Sequence, residues 1–224
     1  MKLTIFAATG GIGSQILEQA AKAGHEVTAV VRDPKKLAGR RNGMRVVTAD
    51  LLAPDQEAIE SAVAGADAVL SGLGASSIAD AGIAARGTRA IVDAMQATGV
   101  RRIVVVSAAP VSTVPSPGRP NPPKHDAGEG FFMRYVLSPL IKCVLRKVYA
   151  DHALMEDILR NSDLDWTVFR PPRLTDKTLT GKYRTALGQN LRGGFLIARA
   201  DVAHAMLLSL NQLATIKRTV GIAY

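Results

Sequence analysis

Three glycines, Gly10, Gly11 and Gly13, stand between the apolar run of residues 3–6 and a segment with helical periodicity. Glycine is costly inside regular structure, so a cluster at such a junction indicates a tight turn or the close approach of another group. Gly10 would let the chain leave a strand sharply, and Gly13 would let a phosphate approach the free N–H groups of the first helical turn. The alternative is a turn that serves only the close packing of a strand against a helix.

Short runs rich in β-branched residues alternate with helical patterns along most of the chain. This alternation predicts parallel strands joined by right-handed crossovers. We therefore expect an α/β fold of the Rossmann type, a doubly wound parallel sheet with helices on both faces, with a small C-terminal region on the substrate side. Residues 1–224 are expected to form one domain. The predicted strands are 3–7, 26–31, 44–48, 68–71, 102–107 and 166–170, and the predicted helices are 12–23, 54–64, 78–98, 151–161 and 200–210.

The composition excludes several classes of protein. Hydrophobic residues make up 47% of the chain but aromatic residues only 4%, which fits aliphatic strands covered by helices rich in alanine and leucine. The single cysteine, Cys143, cannot form an internal disulfide, and the first residues do not resemble a secretory signal. Residues 131–148 are apolar but carry four basic side chains, so no membrane span is expected. We expect a soluble cytoplasmic protein.

The formal net charge of +9 favours an anionic partner, which could be nucleic acid, a membrane surface or a phosphorylated small molecule. The basic residues are dispersed, and they are neither gathered in a tail nor interleaved with aromatic residues. Nucleic acid is therefore not expected as a partner. A polyanionic cofactor would need only a few of these charges.

A proline-rich segment interrupts the alternation after the fifth predicted strand. Residues 110–130 hold six of the eleven prolines, which predicts a long loop, either a lid over a site or a surface excursion. Ser138 and Pro139 then resemble a helix start, followed by apolar positions at helical spacing up to Val148. Residues 110–150 are thus predicted to be an insertion made of this loop and a basic amphipathic helix. That helix could pack on its own domain or on a second subunit, so a monomer and a homodimer are both open.

The end of the second predicted strand reads VVRDPKKL, residues 30–37. In a dinucleotide-binding fold, an acidic residue here would hold the ribose hydroxyls of NAD, whereas an arginine offers a bidentate fork for the 2′-phosphate of NADP. Arg32 therefore predicts NADP(H) as the cofactor. Asp33 keeps NAD as an alternative, and a solvated charged turn is the structural alternative.

Residues after the third and fourth predicted strands belong to the same edge of the sheet. Asp50 could accept a hydrogen bond from the adenine amino group, or it could equally form a cap or a turn. Gly72 and Gly74 would let the backbone pass close beneath a bound cofactor.

Several motifs together resemble the atypical short-chain dehydrogenase/reductase superfamily, in its NAD(P)H-binding group that includes biliverdin reductase B (flavin reductase) and the NmrA-like proteins. The motifs occur in the expected order over nearly the whole chain outside residues 110–148. They are AATGGIG, VVRDP, ADL, GVRRIVVVSA, DHALMEDILRNSDLDWTVFRPPRLTD, LTGKYR and IARADVAHAML.

The resemblance implies roles for matching positions at the carboxyl edge of the sheet. Ala7 stands where the family usually has glycine, and we expect the turn to remain intact. Pro171, Pro172 and Arg173 are implied to border the substrate pocket. The residues implied to bind the dinucleotide are Thr9, Gly10, Ile12 and Gly13 at the pyrophosphate, Arg32 at the 2′-phosphate, Asp50 and Leu51 at the adenine, Leu73 and Gly74 beneath the cofactor, and Ser107 near the nicotinamide.

The sequence lacks the Tyr-x-x-x-Lys pair of the tyrosine-dependent reductases, because no tyrosine is followed by lysine four residues later. Without the tyrosine acid, reduction of an ordinary ketone loses its usual proton donor, and sugar-nucleotide epimerisation is disfavoured. A flavin or quinone needs less help, since the hydride enters a conjugated, electron-poor ring and the enzyme mainly aligns the reactants. We therefore predict direct hydride transfer to a flavin, a quinone or a similar small conjugated acceptor.

Ser107 and Arg173 are the predicted catalytic residues. Ser107 is the hydroxyl at the carboxyl end of the fifth strand, although it could be an ordinary turn residue, and the family serine could align with Ala108 instead. Arg173 stands where biliverdin reductase B has a histidine. It could bind an acceptor carboxylate or phosphate, or it could pair with Asp165 or Asp176.

The four histidines show no metal-ligand spacing. His152, which follows Asp151 at a predicted helix start, is expected to be capped or solvent-facing. The second functional hypothesis is a regulatory protein of the NmrA-like kind, which binds NADP(H) with little or no turnover.

Overall fold

The computed structural model describes residues 1–37, 43–74, 82–126 and 145–224. Each of the six predicted strands occurs within one residue of its expected bounds. The strands are β1 (Lys2–Phe6), β2 (Glu26–Val31), β3 (Arg45–Thr48), β4 (Ala68–Ser71), β5 (Arg102–Val106), β6 (Asp165–Arg170), β7 (Arg173–Thr175), β8 (Arg184–Leu187), β9 (Leu196–Ala198) and β10 (Arg218–Ala223). The helices are α1 (Gly11–Lys22), α2 (Gln56–Val63), α3 (Ile83–Thr98), α4 (Arg146–Arg160) and α5 (Arg199–Leu208).

β1 lies inside an eight-stranded sheet whose order is β3-β2-β1-β4-β5-β6-β10-β8. β1 pairs in parallel with both β2 and β4, so the strand order reverses at this point. The other neighbours are also parallel, except that β8 runs antiparallel to β10 at the edge. The predicted doubly wound parallel sheet is confirmed. In open α/β sheets a ligand crevice lies outside the carboxyl ends of the strands where the order reverses.

Helices cover both faces of the sheet because the central strands are apolar on both sides. Neighbouring residues such as Ile5 and Phe6 are fully buried in opposite cores. Burial of a Leu, Ile or Phe side chain contributes about 1.5–3 kcal/mol relative to exposure, so this alternation fixes the strand between two helical layers. The layer with α2, α3 and α4 buries Phe6, Ile59, Ile91, Ile103 and Leu159. The layer with α1 and α5 buries Ile5, Ile16, Val104, Val202 and Met206.

The segment after β5 differs from its prediction. Residues Ala109–Thr113 form a short 3-10 helix with proline in its first turn, where the fixed φ of proline is favourable and its missing N–H costs nothing. The prediction of an irregular loop over 110–130 is therefore wrong at its start. The helix predicted after Pro139 lies largely outside the described residues, and α4 begins at Arg146 rather than at 151.

The C-terminal part adds strands that the sequence analysis did not predict. β7 and β9 pair in parallel with one another, while β8 and β10 extend the main sheet. Asp201 in α5 holds this region together, because its buried carboxylate accepts hydrogen bonds from the backbone N–H groups of Thr180 and Gly181 and from the Tyr224 hydroxyl. Burial alone would raise the pKa of Asp201, but the hydrogen bonds outweigh it and the pKa is lowered.

Across residues 1–37, 43–74, 82–126 and 145–224, no helix has the length and apolar character needed to cross a bilayer. In the same part of the chain no group of three or more His, Cys, Asp or Glu side chains could hold a metal ion.

Candidate functional site

A cleft of about 770 Å³ opens along the carboxyl ends of the strands from β1 to β6. We call its two ends the β2/β3 end and the β5/β6 end, after the strands that border them. The β2/β3 end is lined by Val31, Arg32, Asp33, Lys36, Asp50 and Leu51, and the β5/β6 end by Val106, Ser107, Ala108, Val148, Tyr149, His152, Pro171 and Pro172.

The cleft brings together most residues predicted to bind a dinucleotide. Gly13 lies just beneath it, buried in the first turn of α1. The predicted residues that line the cleft are Thr9, Gly10, Ile12, Arg32, Asp50, Leu51, Leu73, Gly74 and Ser107.

The glycine turn joins β1 to α1 with little room for side chains. The N–H of Gly10 donates to the carbonyl of Ala7 across 2.8 Å, and the N–H of Ser14 donates to the carbonyl of Gly10 across 2.8 Å. A Cβ at Gly13 would stand 2.7 Å from the carbonyl carbon of Ala7 and nearer still to its oxygen. No side chain caps α1 at Gly10, and its first turn contains no acidic residue. This helix N-terminus is therefore open to an anion.

Ala7 adopts a left-handed backbone conformation, with φ of 54°. The expected turn is intact, but an L-residue in this region is strained by about 1–2 kcal/mol, whereas glycine is not. We expect Ala7→Gly to raise the free energy of unfolding by about 0.5–1 kcal/mol after the larger chain entropy of glycine is subtracted. Urea denaturation would measure this. Ala21→Gly on the exposed side of α1 is the contrasting control, and it should lower stability by about 1 kcal/mol.

Polar side chains at the β2/β3 end are partly committed to turns. The Asp33 carboxylate accepts a hydrogen bond from the N–H of Lys35, and that of Asp50 accepts one from the N–H of Leu52, each at 3.0 Å. Both aspartates therefore shape the loops, as the turn alternatives for these residues predict. Arg32 is exposed at the mouth of the cleft and makes no ion pair with another described residue. Its guanidinium is available to an anion.

Arg199 is a cleft residue that the sequence analysis missed. It begins α5, and its side chain lies over Gly11, where a Cβ would come within 2.7 Å of the Arg199 Nε. The guanidinium also pairs with Asp176 at 2.6 Å, but the Asp176 side chain is 88% exposed, so the pair is solvent-screened. Arg199 thus places a second cation beside the glycine turn.

Ser107 at the β5/β6 end is tied to a buried carboxylate. Its hydroxyl donates to Glu156 Oε1 at 2.8 Å, and Glu156 is 1% exposed. Arg170 donates to both oxygens of Glu156, from Nε at 2.9 Å and from a terminal nitrogen at 2.5 Å. Arg160 adds a third contact, at 2.6 Å to Oε2. This bidentate, fully satisfied cluster fixes the Ser107 hydroxyl against the wall of the cleft.

The same cluster anchors the segment that follows β5. Asp157 accepts a hydrogen bond from Arg160 at 2.6 Å and one from the N–H of Gly118 at 2.8 Å. Gly118 is required here, because a Cβ would come within 2.8 Å of the Asp157 carboxyl carbon. The described part of the proline-rich segment therefore packs on α4, and none of residues 110–126 lines the cleft.

His152 is buried at 7% exposure and lines the cleft, so the prediction of a capped or solvent-facing side chain is wrong. The prediction took residue 151 as the start of the helix, whereas α4 begins at Arg146, so His152 lies in the interior of the helix on its buried side. Its neighbour Asp151 caps α3 instead, accepting hydrogen bonds from the N–H groups of Ala84 and Ala85. Burial lowers the pKa of His152, while Asp151 and Glu156 oppose that shift.

Arg173 begins β7 with an exposed side chain and does not line the cleft, although its neighbours Pro172 and Leu174 do. Its catalytic role stays a prediction. The β5/β6 end is lined instead by Tyr149 and His152, which sequence reasoning missed. In the sequence, Tyr149, His152 and Glu156 are spaced so that they lie on one face of a helix. This spacing does not show which part of the protein that face contacts.

A family model described as NAD(P)H-binding matches residues 7–213. The chain belongs to the NAD(P)H-binding family. Its cofactor is NAD(P)H, and the predicted membership of an NAD(P)H-binding family is confirmed.

The chain is similar to one curated protein over most of its length and to solved structures with the same fold. UPF0659 protein C216.03 of Schizosaccharomyces pombe is 29% identical over 219 residues, covering 92% of this chain and 84% of that protein. ChuY, an anaerobilin reductase of Escherichia coli O157:H7, is 23% identical, with a TM-score of 0.77 and coverage of 100% and 97% of the two chains. A wide-type short-chain dehydrogenase/reductase of Veillonella parvula, solved in complex with NADP, is 17% identical, with a TM-score of 0.78 and coverage of 100% and 94%.

The residues present fit the cofactor of this family. The uncapped N-terminus of α1 lies at the cleft. Its first turn can pack closely against the end of β1 and the Arg199 side chain because neither Gly13 nor Gly11 carries a Cβ. Arg32 and Arg199 supply two cations to the same cleft. The cleft volume lies in the range usual for cofactor sites.

Proposed function

We propose that this protein is an NADPH-dependent oxidoreductase that reduces a flavin, a quinone or a related conjugated acceptor by direct hydride transfer. The observation that carries the proposal is the contrast between the two ends of the cleft. Basic side chains border the glycine turn and the β2/β3 end, whereas apolar residues dominate the β5/β6 end. The first environment suits phosphates, and the second suits a flat ring.

Different parts of the cleft would bind different parts of the dinucleotide. The glycine turn, with Thr9, Gly10, Ile12 and Gly13, would hold the pyrophosphate, and Arg32 would hold the 2′-phosphate. Asp50 and Leu51 would meet the adenine, while Leu73, Gly74 and Ser107 would border the nicotinamide half. When bound, the reduced cofactor supplies the hydride.

The chain's main contribution to the reaction would be alignment. Pro171 and Pro172 are rigid residues directly after β6, and with Val106 and Ala108 they give the β5/β6 end an apolar wall. A conjugated acceptor held against this wall needs no strong electrophilic catalyst, because its own ring delocalises the incoming electron pair. Two proteins of similar fold, the anaerobilin reductase ChuY and the Veillonella parvula protein that was solved with NADP, support a reductase that uses NADP(H).

The proposal is tested by mixing the purified protein with NADPH and, separately, FMN, FAD and a panel of quinones. Turnover of at least one acceptor is expected, followed as loss of the reduced nicotinamide absorbance. Tight NADPH binding without turnover of any of them would contradict the oxidoreductase and favour the regulatory alternative.

Arg32 is expected to select the phosphorylated cofactor. Arg32→Ala should raise the Kd of NADPH about tenfold or more and change that of NADH less than about twofold, because a charge-assisted pair contributes about 1.5–3 kcal/mol. Arg199→Ala is the matched control, since it removes a guanidinium beside the pyrophosphate, which both cofactors carry. It should weaken both cofactors alike. Equal losses in Arg32→Ala would show that Arg32 does not read the 2′-phosphate.

One observation favours the second candidate, an NADP(H)-binding regulatory protein. The Ser107 hydroxyl donates a hydrogen bond to Glu156, so the hydroxyl hydrogen of the predicted catalytic serine is not available to a substrate. A protein of this kind would bind NADP(H) in the same cleft without oxidising NADPH, and it would co-purify with a protein partner.

A further inference from the structure

Tyr149 and His152 lie at the β5/β6 end of the cleft and have no role in the cofactor site described above. α4 places them three residues apart on one helix face, and both line the cleft. The Nδ1 atom of the buried His152 ring has no hydrogen-bond partner among the described residues. Buried polar atoms are rarely left without a partner, and here no described group holds the imidazole ring through Nδ1, so the ring is not committed to a structural hydrogen bond on that side.

Three side chains at this end, those of Ser107, Tyr149 and His152, could give a proton to a ligand. Their hydrogen bonds and their burial distinguish them as proton donors. The Ser107 hydroxyl already donates to Glu156. Burial raises the pKa of Tyr149 above its usual value of 10.0, which makes the phenol a weaker acid near neutral pH. His152 is the remaining group. Its Cε1–Nε2 edge faces Gly74, where a Cβ would lie 3.7 Å from Cε1 and 3.8 Å from Nε2, and Gly74 lines the cleft.

The charged groups that face His152 come from its own helix and from the strand beneath. Asp151 accepts hydrogen bonds from the start of α3, and Glu156 is paired with Arg170 from β6. Both carboxylates favour the protonated imidazole. Burial disfavours it and is the larger influence, so the pKa of His152 lies below its usual 6.5.

We propose that His152 is the proton donor of the reduction and gives its Nε2 proton to the acceptor oxygen or nitrogen on which negative charge develops. This inference rests on the proposed function. In balance, the acceptor gains one hydride from NADPH and one proton from the His152 imidazolium, NADP⁺ is the oxidised product, and the imidazole regains a proton from solvent. The proposal therefore requires an acceptor that takes up a proton when it is reduced. A quinone is such an acceptor, because its reduction gives a hydroquinone.

The pH profile of a quinone reduction tests this role. Because the active form carries protonated His152, kcat/KM should rise as the pH falls and should level off below the pKa of His152. His152→Gln should abolish this rise and lower kcat about 10²-fold, while the Kd of NADP⁺ changes less than about twofold. His25→Gln is the matched control, since His25 is half-buried and does not line the cleft. It should behave as wild type.

Two further measurements separate proton donation from a structural effect. His152→Ala should regain part of its kcat when free imidazole is added, provided that far-UV circular dichroism shows the variant folded. The imidazole NMR signal that disappears in His152→Gln should shift when NADP⁺ and then a quinone are added to the wild-type protein. This second readout needs no turnover.

Each outcome decides a separate point. Turnover by His152→Gln with the wild-type rate and pH profile, or a His152 signal that neither ligand shifts, would overturn the proton-donor role and leave the proposed function standing. A loss of kcat confined to Tyr149→Phe would also overturn it, in favour of the tyrosine. Absence of turnover by the wild-type protein with every acceptor would overturn the proposed function and the role of His152 together.

Discussion

Gly13→Ala is expected to abolish cofactor binding at ordinary concentrations and to destabilise the fold. The added Cβ would stand 2.7 Å from the carbonyl carbon of Ala7 and 3.2 Å from the Cα of Ala8, and all of these neighbours are backbone atoms that cannot rotate away. The first turn of α1 also packs closely against Gly72. A Cβ added at Gly72 would lie only 2.8 Å from the backbone nitrogen of Gly13, so this side offers no room either. The first turn of α1 must therefore move off the end of β1.

That displacement should affect two quantities. The free energy of unfolding should fall by about 3 kcal/mol, the upper part of the range for overpacked sites. The Kd of NADPH should rise at least about 10²-fold, because the N–H groups of the turn no longer point into the cleft. Urea denaturation and fluorescence titration with NADPH measure the two effects.

Gly24→Ala is the matched control for Gly13→Ala. Gly24 has φ of +76° but nothing within 4 Å of an added Cβ, so the substitution strains the backbone without a clash. It should cost about 1 kcal/mol of stability and leave NADPH binding unchanged. Gly13→Ala binding NADPH as tightly as the Gly24→Ala control would show that the turn tolerates a side chain and does not form the phosphate site.

The glycine turn could be predicted because its cause is local. A strand, a tight exit and a helix start follow one another within the motif AATGGIG, and the alternation of such units dictates a parallel sheet whatever the details of packing. The strands from β1 to β6 share this property. By contrast, β7 and β9 have three residues each, which is too short for an alternating pattern to appear above the background.

The β5/β6 end could not be predicted because its causes are distant in the chain. Ser107 and Glu156 are 49 residues apart, and only the packing of α4 on the sheet brings them into contact. The same packing buries His152, which looked like an ordinary helix-start residue in the sequence. Arg199 likewise acquires its place beside Gly11 only when α5 packs on α1.

Glu156→Gln is expected to be the most destabilising substitution of a polar side chain at the site. It removes the charge that balances Arg170, which is only 4% exposed, and it places amide hydrogens against a guanidinium that has only hydrogens to offer. Breaking a buried pair in this way costs about 3–5 kcal/mol. The same substitution at Glu18, whose carboxylate pairs with Lys22 on the surface of α1, should cost less than about 0.5 kcal/mol.

A double-mutant cycle shows whether the loss comes from the orphaned guanidinium. Arg170→Met in the Glu156→Gln background removes the uncompensated charge and leaves an apolar side chain beside the core, so the double variant should lose less stability than the sum of the two single variants. Thermal unfolding of the four proteins, with Glu18→Gln alongside, measures this coupling. Strictly additive losses, or a Glu156→Gln variant as stable as Glu18→Gln, would mean that water reaches the cluster and that the Ser107 hydroxyl is not held in one orientation.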